Sequence, residues 1–140
     1  APANQGTARR FDRLAVLENL RAHATANVCV FRSTPWRERP IPVRLLEKHP
    51  GSTQLFVPMN ARRYLVVVAL GGDEPDLATL AAFVARGTDG VTYRPGVWHH
   101  PLIALDADTD FACVVFEDGT PGDCATHALG EPVDVDVPDR

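Results

Sequence analysis

Two adjacent histidines, His99 and His100, follow a turn and enter an apolar stretch. The Pro95-Gly96 pair marks the turn, and residues 97–105 are mostly apolar, aromatic or imidazole side chains, which predicts one buried strand. Imidazole is a common metal ligand and the side chain best suited to proton transfer near neutral pH. The pair is therefore a candidate site, although a half-buried histidine bonded to a carbonyl beside a packing tryptophan is the commoner origin of such a pair.

A second group of polar side chains ends the predicted strand 43–49. With a period of two, Val43, Leu45, Glu47 and His49 share one face of that strand. This face therefore changes along its length from apolar side chains to side chains that can bind a metal ion. An exposed Glu-Lys-His strand end without any site fits the same pattern.

Gln54 lies just beyond the next turn. Residues 50–52, Pro-Gly-Ser, predict that turn, and residues 53–59 predict a further strand. The carboxylate of Glu47, the imidazole of His49 and the amide of Gln54 would then lie at the two ends of one hairpin.

The composition limits what such a site could belong to. The chain has 140 residues, 45% of them hydrophobic, and a formal net charge of -4 without a block of lysine and arginine. These values predict one domain with a continuous core and argue against a nucleic-acid partner. No apolar run reaches the roughly 20 residues that span a bilayer, and the start of the chain lacks the apolar region of a secretory signal. We therefore expect no membrane partner and a cytoplasmic protein.

Three cysteines, Cys29, Cys113 and Cys124, agree with a reducing compartment. They are odd in number and widely spaced, and they contain no Cys-x-x-Cys pair. A disulfide framework or a zinc knuckle is therefore not predicted. We expect three reduced thiols in or near the core.

Short extended segments between glycine and proline turns make up most of the remaining chain. We predict strands at residues 28–31, 64–70 and 109–116, and an edge strand or extended tail at 133–138. The continuous β-branched run 64–70 predicts a strand covered on both faces. Residues 11–20, with apolar side chains spaced by three, and residues 76–85, rich in alanine, are compatible with either helix or strand.

This pattern of strands indicates an all-β sandwich or barrel with few helices. In a small barrel the inward side chains at one mouth converge, so residues from distant strands can form one site. That geometry would bring Glu47, His49 and Gln54 together with His99.

Residues 90–99 resemble the second motif of the cupin superfamily. In that motif a Pro-x-Gly-x-x-His turn delivers a metal-binding histidine into a β-barrel. Gly96 and His99 keep the spacing, whereas Arg94 stands in the place of the proline and Pro95 follows it. The resemblance implies an RmlC-like cupin fold, which is a β-barrel or jelly roll with few short helices.

The stretch from Glu47 to Gln54 falls where the first cupin motif, His-x-His followed by a glutamate, would lie. The first histidine of that motif is replaced by Glu47 and the final glutamate by Gln54. With His49 and His99, the resemblance implies a metal-binding set of two imidazoles, one carboxylate and one amide. Such a set suits an octahedral divalent ion with open positions.

Five stretches of the chain are similar, in the same order, to the ureidoglycolate lyase family, formerly called ureidoglycolate hydrolases. They are residues 4–9, 46–58, 65–69, 75–77 and 93–102. The Gly-Val-Trp-His-His-Pro run in the last stretch is the specific one. The resemblance implies a carbon-nitrogen lyase that splits (S)-ureidoglycolate into glyoxylate and urea during purine and allantoin breakdown.

Members of that family carry a further N-terminal segment before the first of these stretches. We therefore expect residues 1–140 to form a single cupin-like domain without that segment. Loss of an edge strand would impair dimerisation or closure of the site. The fold also leads us to expect a homodimer, with ureidoglycolate as the small-molecule partner.

The reaction that the family implies needs a base, an acid and an anion-binding group. The substrate is a hemiaminal: a base removes the carbinol proton, the C–N bond breaks as the carbonyl forms, and an acid protonates the departing urea nitrogen. A divalent metal ion, for which the family implies nickel, would lower the pKa of the hydroxyl group. The implied metal ligands are Glu47, His49, Gln54 and His99, of which Glu47 and His99 are also implied catalytic groups. His100 and Tyr93 are the other implied catalytic groups, as proton donor or orienting group. The groups implied to bind the substrate are Arg9, Arg10 and Arg94, beside Gln54.

Two other functions stay open at this point. A metal-dependent cupin enzyme could act on another small hydroxy acid or sugar, because fold does not dictate chemistry; its metal and its use of dioxygen would distinguish it. A cupin without catalytic activity could bind a small ligand, which would raise the melting temperature without forming a product.

Overall fold

Glycine and proline turns divide the chain into extended segments. The computed structural model describes residues 1–138 and consists of strands with two short 3-10 turns, Asn4–Gly6 and Pro121–Asp123. The strands are β1 (Pro2–Ala3), β2 (Ala8–Arg9), β3 (Thr25–Ser33), β4 (Ile41–Lys48), β5 (Gln54–Pro58), β6 (Arg63–Gly71), β7 (Pro75–Arg86), β8 (Val91–Tyr93), β9 (Trp98–His99), β10 (Ile103–Ala104), β11 (Thr109–Glu117) and β12 (Ala125–Val135). The all-β prediction is confirmed. Within residues 1–138, no helix is long and apolar enough to cross a membrane.

Two antiparallel sheets contain ten of these strands. The strands β3, β11, β5 and β8 form a four-stranded sheet in that order. In the six-stranded sheet, β6 pairs with β7 on one side and with β10 and β9 on the other. The strand β9 also pairs with β4, and β4 pairs with the edge strand β12. The strands β1 and β2 form a separate small hairpin. Gln54 and Tyr93 therefore lie in one sheet, and Glu47 and His99 lie in the other.

The strand β6 is covered on both faces, as its continuous apolar sequence predicts. Tyr64 and Val66 belong to a core cluster shared with side chains of the four-stranded sheet. Leu65 and Val67, which are fully buried, belong to a second cluster formed within the six-stranded sheet and the segments beside it. Alternate side chains of β6 thus contribute to both core clusters. The apolar area buried on its two faces stabilises the packing of the sheets.

The prediction of one strand over residues 97–105 is wrong. The strands β9 and β10 are separated by a break that contains Pro101, which has no backbone N–H for a ladder hydrogen bond. The His100 N–H still donates to the Val67 carbonyl at 3.0 Å, so this part of the chain stays against β6.

The hairpin predicted around residues 50–52 is also wrong. The strands β4 and β5 belong to different sheets, so residues 50–52 form a corner between the sheets. Ser52 makes an isolated bridge with Asn19, and the Leu20 N–H donates to the Gly51 carbonyl at 2.8 Å. The segment 11–20, compatible with helix or strand by its sequence, lies over this corner and forms neither element among the described residues.

Strict alternation along β4 is a third wrong prediction. Leu46 is fully buried, whereas Leu45 is 38% exposed and does not share the buried face of Val43. The partner strand β12 has an irregular register here, because Leu45 pairs with Ala128 and Val43 pairs with Val133. A bulge of this kind shifts which side chains face the core.

The remaining predicted strands lie within observed ones. Residues 76–85 are part of β7, where pairing with β6 outweighs the helix preference of alanine. Residues 28–31, 64–70 and 109–116 are parts of β3, β6 and β11, and residues 133–135 end the edge strand β12. These three strand predictions and the edge-strand prediction are confirmed.

Candidate active site

Three side chains that can bind a metal ion meet where β4 and β9 lie side by side. Glu47, near the end of β4, is the direct pairing partner of His99 in β9. His49 follows the last residue of β4. Glu47, His49 and His99 each offer one ligand atom, and these atoms all lie within 4.8 Å of one another. The structure therefore brings together three of the four residues predicted as metal ligands.

Both histidines of this cluster are oriented by backbone carbonyls. His49 Nδ1 lies 3.0 Å from the Asp123 carbonyl oxygen, and His99 Nδ1 lies 3.0 Å from the Val97 carbonyl oxygen. A carbonyl only accepts hydrogen bonds, so each Nδ1 carries a proton, and in the neutral form of the ring each Nε2 presents a lone pair. Both Nε2 atoms are buried and have no hydrogen-bond partner within residues 1–138. Two lone pairs held in this way are typical of a metal site.

The contact between His99 and Glu47 is not a salt bridge. His99 Nε2 lies 3.6 Å from Glu47 Oε1, which is too long for a hydrogen bond. Burial lowers the pKa of His99 to about 4, and the nearby His49 and His100 lower it further, against the opposing effect of the Val97 carbonyl. The imidazole is therefore neutral near pH 7. A lone pair and a carboxylate oxygen face each other, and a cation between them would satisfy both.

Tyr93 stacks on the ring of His99. The two ring centroids are 3.9 Å apart and the planes differ by 6°. The phenol oxygen of Tyr93 is buried and has no partner among the described residues. Burial raises the pKa of Tyr93, and the negative charge of Glu47 contributes, so the hydroxyl stays protonated. Tyr93 therefore presents an unused O–H donor.

Gln54 is the pairing partner of Tyr93 across β5 and β8. Its side chain is buried, and Nε2 lies 3.7 Å from Cys113 Sγ. Its Oε1 atom has no hydrogen-bond partner within residues 1–138. The amide is thus held by its nitrogen and leaves its oxygen free to bind.

His100 has a different environment from His99. Its Nδ1 lies 2.7 Å from the Pro101 carbonyl oxygen, and its ring meets the ring of Trp36 edge to face at 6.2 Å. Burial lowers the pKa of His100. In the neutral ring the only proton is on Nδ1 and is used by Pro101, so His100 has no free N–H to donate.

The three arginines predicted for the substrate lie in two places. Arg10 forms an exposed ion pair with Asp12 at 2.6 Å, and Arg9 Cζ lies 6.0 Å from the ring of Phe11. Arg94 directly follows Tyr93 and lines, with it, a cavity of about 420 Å³. Arg94 thus adjoins Tyr93, which stacks on His99, although the cavity it lines does not include Glu47, His49 or His99. The contacts of Arg9 and Arg10 lie within the N-terminal part of the chain.

Two neighbouring residues near the cluster were missed by sequence reasoning. The carbonyl of Asp123 orients His49, and Cys124 Sγ lies 3.8 Å from Glu47 Oε2. Burial raises the pKa of Cys124 to about 11, and Glu47 contributes, so the thiol is protonated and can donate to the carboxylate. Both contacts join residues more than 70 positions apart, and no local motif could have indicated them.

A small cavity lies against the cluster. It has a volume of about 60 Å³ and is lined by Glu47, His99 and the rings of Phe31 and Phe56, among other residues. The His99 imidazole is buried, whereas 24% of the Glu47 side chain stays exposed. Two β-sheets that enclose two imidazoles and a carboxylate define the class of this protein, a cupin-like β-sandwich with a candidate metal centre.

The chain belongs to the ureidoglycolate lyase family, whose profile matches residues 1–136. A ureidoglycolate lyase from Salmonella typhimurium is 47% identical over 111 residues, which are 79% of this chain and 68% of that protein. A ureidoglycolate lyase from Pseudomonas fluorescens is 38% identical over 128 residues, which are 91% of this chain and 75% of that protein. The predicted family is therefore confirmed.

One solved structure with a similar fold is the capsular polysaccharide assembling protein CapF from Staphylococcus aureus. It aligns with a TM-score of 0.52 and 17% sequence identity, and the match covers 84% of this chain and 33% of that one. The likeness concerns the fold alone.

Proposed function

We propose that this protein is a lyase that cleaves (S)-ureidoglycolate to glyoxylate and urea. The observation that carries the proposal is the family match over residues 1–136. The cluster of Glu47, His49 and His99 supports it, because a hemiaminal is cleaved by groups that remove one proton, supply another and stabilise charge on oxygen.

The ligand atoms of the cluster fit a divalent cation. Two imidazole nitrogens and a carboxylate converge without other partners for the nitrogens in the described chain, and we propose that the amide oxygen of Gln54 joins them. Imidazole suits nickel, zinc and iron, and nickel is our proposed metal. A divalent cation bound there supplies Lewis acidity towards the hydroxyl and carboxylate oxygens of the substrate.

Glu47 is our proposed base for the carbinol proton. It is the anionic group of the cluster, and its Oε2 atom already lies beside the thiol of Cys124. As the proton leaves, the carbonyl forms and the C–N bond breaks. The neutral, stacked His99 stays in place as a ligand and does not exchange protons near pH 7, because burial lowers its pKa to about 4.

Tyr93 is our proposed donor to the departing urea nitrogen. Its buried hydroxyl is protonated and has no partner within residues 1–138, and the departing nitrogen is a stronger base than a phenolate. His100, the other predicted donor, has its ring proton in use at the Pro101 carbonyl. In our proposal His100 instead holds the chain between β9 and β10 in place by packing on Trp36.

Arg94 is our proposed partner for the substrate carboxylate. It is exposed and directly follows Tyr93 at the edge of the cavity between β6, β7 and β8. A guanidinium group binds a carboxylate through two parallel hydrogen bonds. Arg9 and Arg10 would have to leave their contacts with Phe11 and Asp12 to take the same role.

We also propose a cytoplasmic homodimer. Large apolar side chains on the outer faces of two different strands are exposed: Val28 and Val30 on β3, and Leu77 and Phe83 on β7. Such side chains are covered in many dimers. The three free thiols suit a reducing compartment. Light scattering on the purified protein tests the dimer, and a monomeric mass at micromolar concentration would contradict it.

Product analysis on racemic ureidoglycolate tests the lyase proposal. We expect equal amounts of glyoxylate and urea from one enantiomer, at a rate above the spontaneous breakdown of the hemiaminal. A chelator should lower that rate, and metal analysis of the purified protein should identify the cation. Release of ammonia in place of urea would move the enzyme to the amidohydrolases, and a rate equal to background would overturn the proposal.

A further inference from the structure

The carbonyl that orients His49 belongs to a loop with many internal hydrogen bonds. This loop, residues 118–123, follows β11, and its last residue is Asp123. The Asp123 carboxylate accepts the backbone N–H of Asp118 at 2.9 Å and that of Gly119 at 2.8 Å. The side chain of Asp123 therefore fixes the loop from which its own carbonyl reaches His49 Nδ1.

Arg21 ties this loop to a distant part of the chain. Its Nη2 lies 2.5 Å from Asp123 Oδ1, and its Nη1 lies 3.2 Å from Asp118 Oδ1. Nη2 also lies 3.4 Å from the Phe116 carbonyl oxygen at the end of β11. Only 23% of the Arg21 side chain is exposed. We call Arg21, Asp118 and Asp123 together the Arg21 clasp.

Arg21 also packs on the chain just after His49. Gly51 lies two residues after His49, at the corner between β4 and β5. A Cβ atom at Gly51 would lie 2.5 Å from Arg21 Nε and 2.8 Å from Arg21 Cδ. The guanidinium stem therefore packs flat on this corner, which only glycine allows without a shift. Arg21 therefore contacts both the corner that follows His49 in the chain and the loop 118–123, whose carbonyl bonds to the His49 ring.

We propose that Arg21 is a positioning residue for His49. By holding the loop against the corner, it keeps the Asp123 carbonyl on Nδ1, and this fixes the tautomer whose Nε2 lone pair points at Glu47 and His99. The inference rests on the proposed function in that it takes His49 as a ligand in the site. Partners of this kind, one step removed from the bound ion, change metal affinity or activity by about 10–100-fold when they are mutated.

The first test measures the His49 tautomer without metal or substrate. Nitrogen-15 NMR of the imidazoles at about pH 8, where free imidazole is neutral, distinguishes the Nδ1–H from the Nε2–H form, and His49→Gln assigns the signal. We expect the Nδ1–H form in the unmodified protein and a mixture of both forms in Arg21→Met. Arg32→Met is the matched control, because Arg32 makes a similar ion pair with Asp110 on the exposed side of β3; it should leave the His49 signal unchanged.

The second test disturbs the clasp without removing a charged group. Gly51→Ala should displace the Arg21 side chain, weaken nickel binding to the apoprotein about 10–100-fold, and give the same mixture of His49 tautomers. In an Arg21→Ala background, Gly51→Ala should have no further effect on either measurement, because Arg21→Ala already removes the Cγ, Cδ and Nε atoms that a Cβ at Gly51 would meet. Additive losses would overturn the proposal.

These measurements separate the inference from the lyase proposal. The His49 tautomer can be read in a protein without lyase activity, so a failed product analysis leaves the test of Arg21 intact. A folded Arg21→Met or Gly51→Ala protein that keeps the Nδ1–H form and the unmodified nickel affinity would overturn the role of Arg21, whatever the activity of the unmodified protein. If Arg21→Met does not fold, Gly51→Ala alone decides the same question.

Discussion

Most polar groups of the Arg21 clasp are bonded, although Arg21 Nε is buried without a partner among the described residues, whereas several polar groups of the site next to it are unbonded. The Asp123 carboxylate accepts from two backbone N–H groups and from Arg21. In the neighbouring site, His49 Nε2, His99 Nε2 and the Tyr93 hydroxyl are buried without a hydrogen-bond partner in the described chain. A buried polar group without a partner costs roughly 1–3 kcal/mol. The clasp therefore adds stability, while the site keeps groups that a ligand would satisfy.

The largest expected effect comes from removing an unbonded imidazole. His99→Ala should reduce lyase activity to the uncatalysed rate and abolish metal binding, because it removes one of the proposed metal ligands and the ring on which Tyr93 stacks. The fold should survive, since the two core clusters are formed by other side chains. Turnover and metal content of the purified variant measure this, with circular dichroism as the check on folding.

His127→Ala is the matched control for that variant. His127 is also a histidine on a strand, but it is half-buried and its ring packs edge to face on Trp98 at 6.1 Å. It should keep its metal and its activity. Turnover by a metal-stripped His99→Ala protein would show that catalysis does not need the proposed metal ion.

Replacing the carboxylate is expected to have the next largest effect. Glu47→Gln keeps the shape of the side chain but removes the charge, and loss of a general base costs about 10²–10⁴-fold in rate. We expect kcat to fall by that amount, and metal affinity to fall as well. Steady-state kinetics and a metal titration measure both; a variant with unchanged kcat would show that Glu47 is not the base.

Tyr93 and Tyr64 allow a direct comparison between a buried hydroxyl without a hydrogen-bond partner and a hydroxyl with one. Tyr93→Phe removes a hydroxyl without a partner in residues 1–138, so we expect kcat to fall about 10²-fold or more with no loss in the free energy of unfolding. Tyr64→Phe removes a hydroxyl that donates to the Asp89 carbonyl, so we expect a loss of about 0.5–1.5 kcal/mol in stability and unchanged kcat. Urea unfolding and steady-state kinetics on both variants measure the four values, and the opposite pattern would contradict the comparison.

The smallest expected effect concerns stability at acid pH. Hydrogen bonds from the Asp118 N–H and from Arg21 lower the pKa of Asp123 to about 2. A carboxyl whose pKa is lower in the folded state stabilises the fold above its unfolded pKa, and this contribution disappears as the pH falls towards the folded pKa. Stability should therefore fall between about pH 4 and pH 2, and less steeply in Asp123→Asn. Urea unfolding across this range measures the slope, and equal slopes would argue against the clasp as a source of stability.

The residues of the candidate cluster were predictable from their chemistry and order along the chain. Glu47 and His49 at a strand end, and His99 after a Pro-Gly turn, have the side chains that a metal site needs. A small barrel brings such strand ends together. The strand content followed as well, because β-branched runs and glycine turns act over a few residues. The long strand β6 shows this best, since its apolar side chains occupy both faces in the structure.

The predictions that failed all depended on contacts with a distant strand. The break at Pro101 depends on the strand with which the neighbouring residues form backbone hydrogen bonds. The exposure of Leu45 depends on the irregular register of β12. The corner at residues 50–52 looks like a hairpin turn until the two strands are assigned to different sheets. Local sequence does not contain this information, because pairing partners lie far along the chain.

The sequence by itself determined the strand-rich fold, the family and the types of side chain that form the site. These properties follow from side-chain chemistry and from patterns only a few residues long. Only the tertiary structure decided how those side chains are used: which nitrogen of His49 is free, that Tyr93 lies flat on His99, and that Arg21 reaches the loop of Asp123. The physical reason is that tautomer, stacking and hydrogen bonding depend on distances between atoms that only the folded sheets bring together.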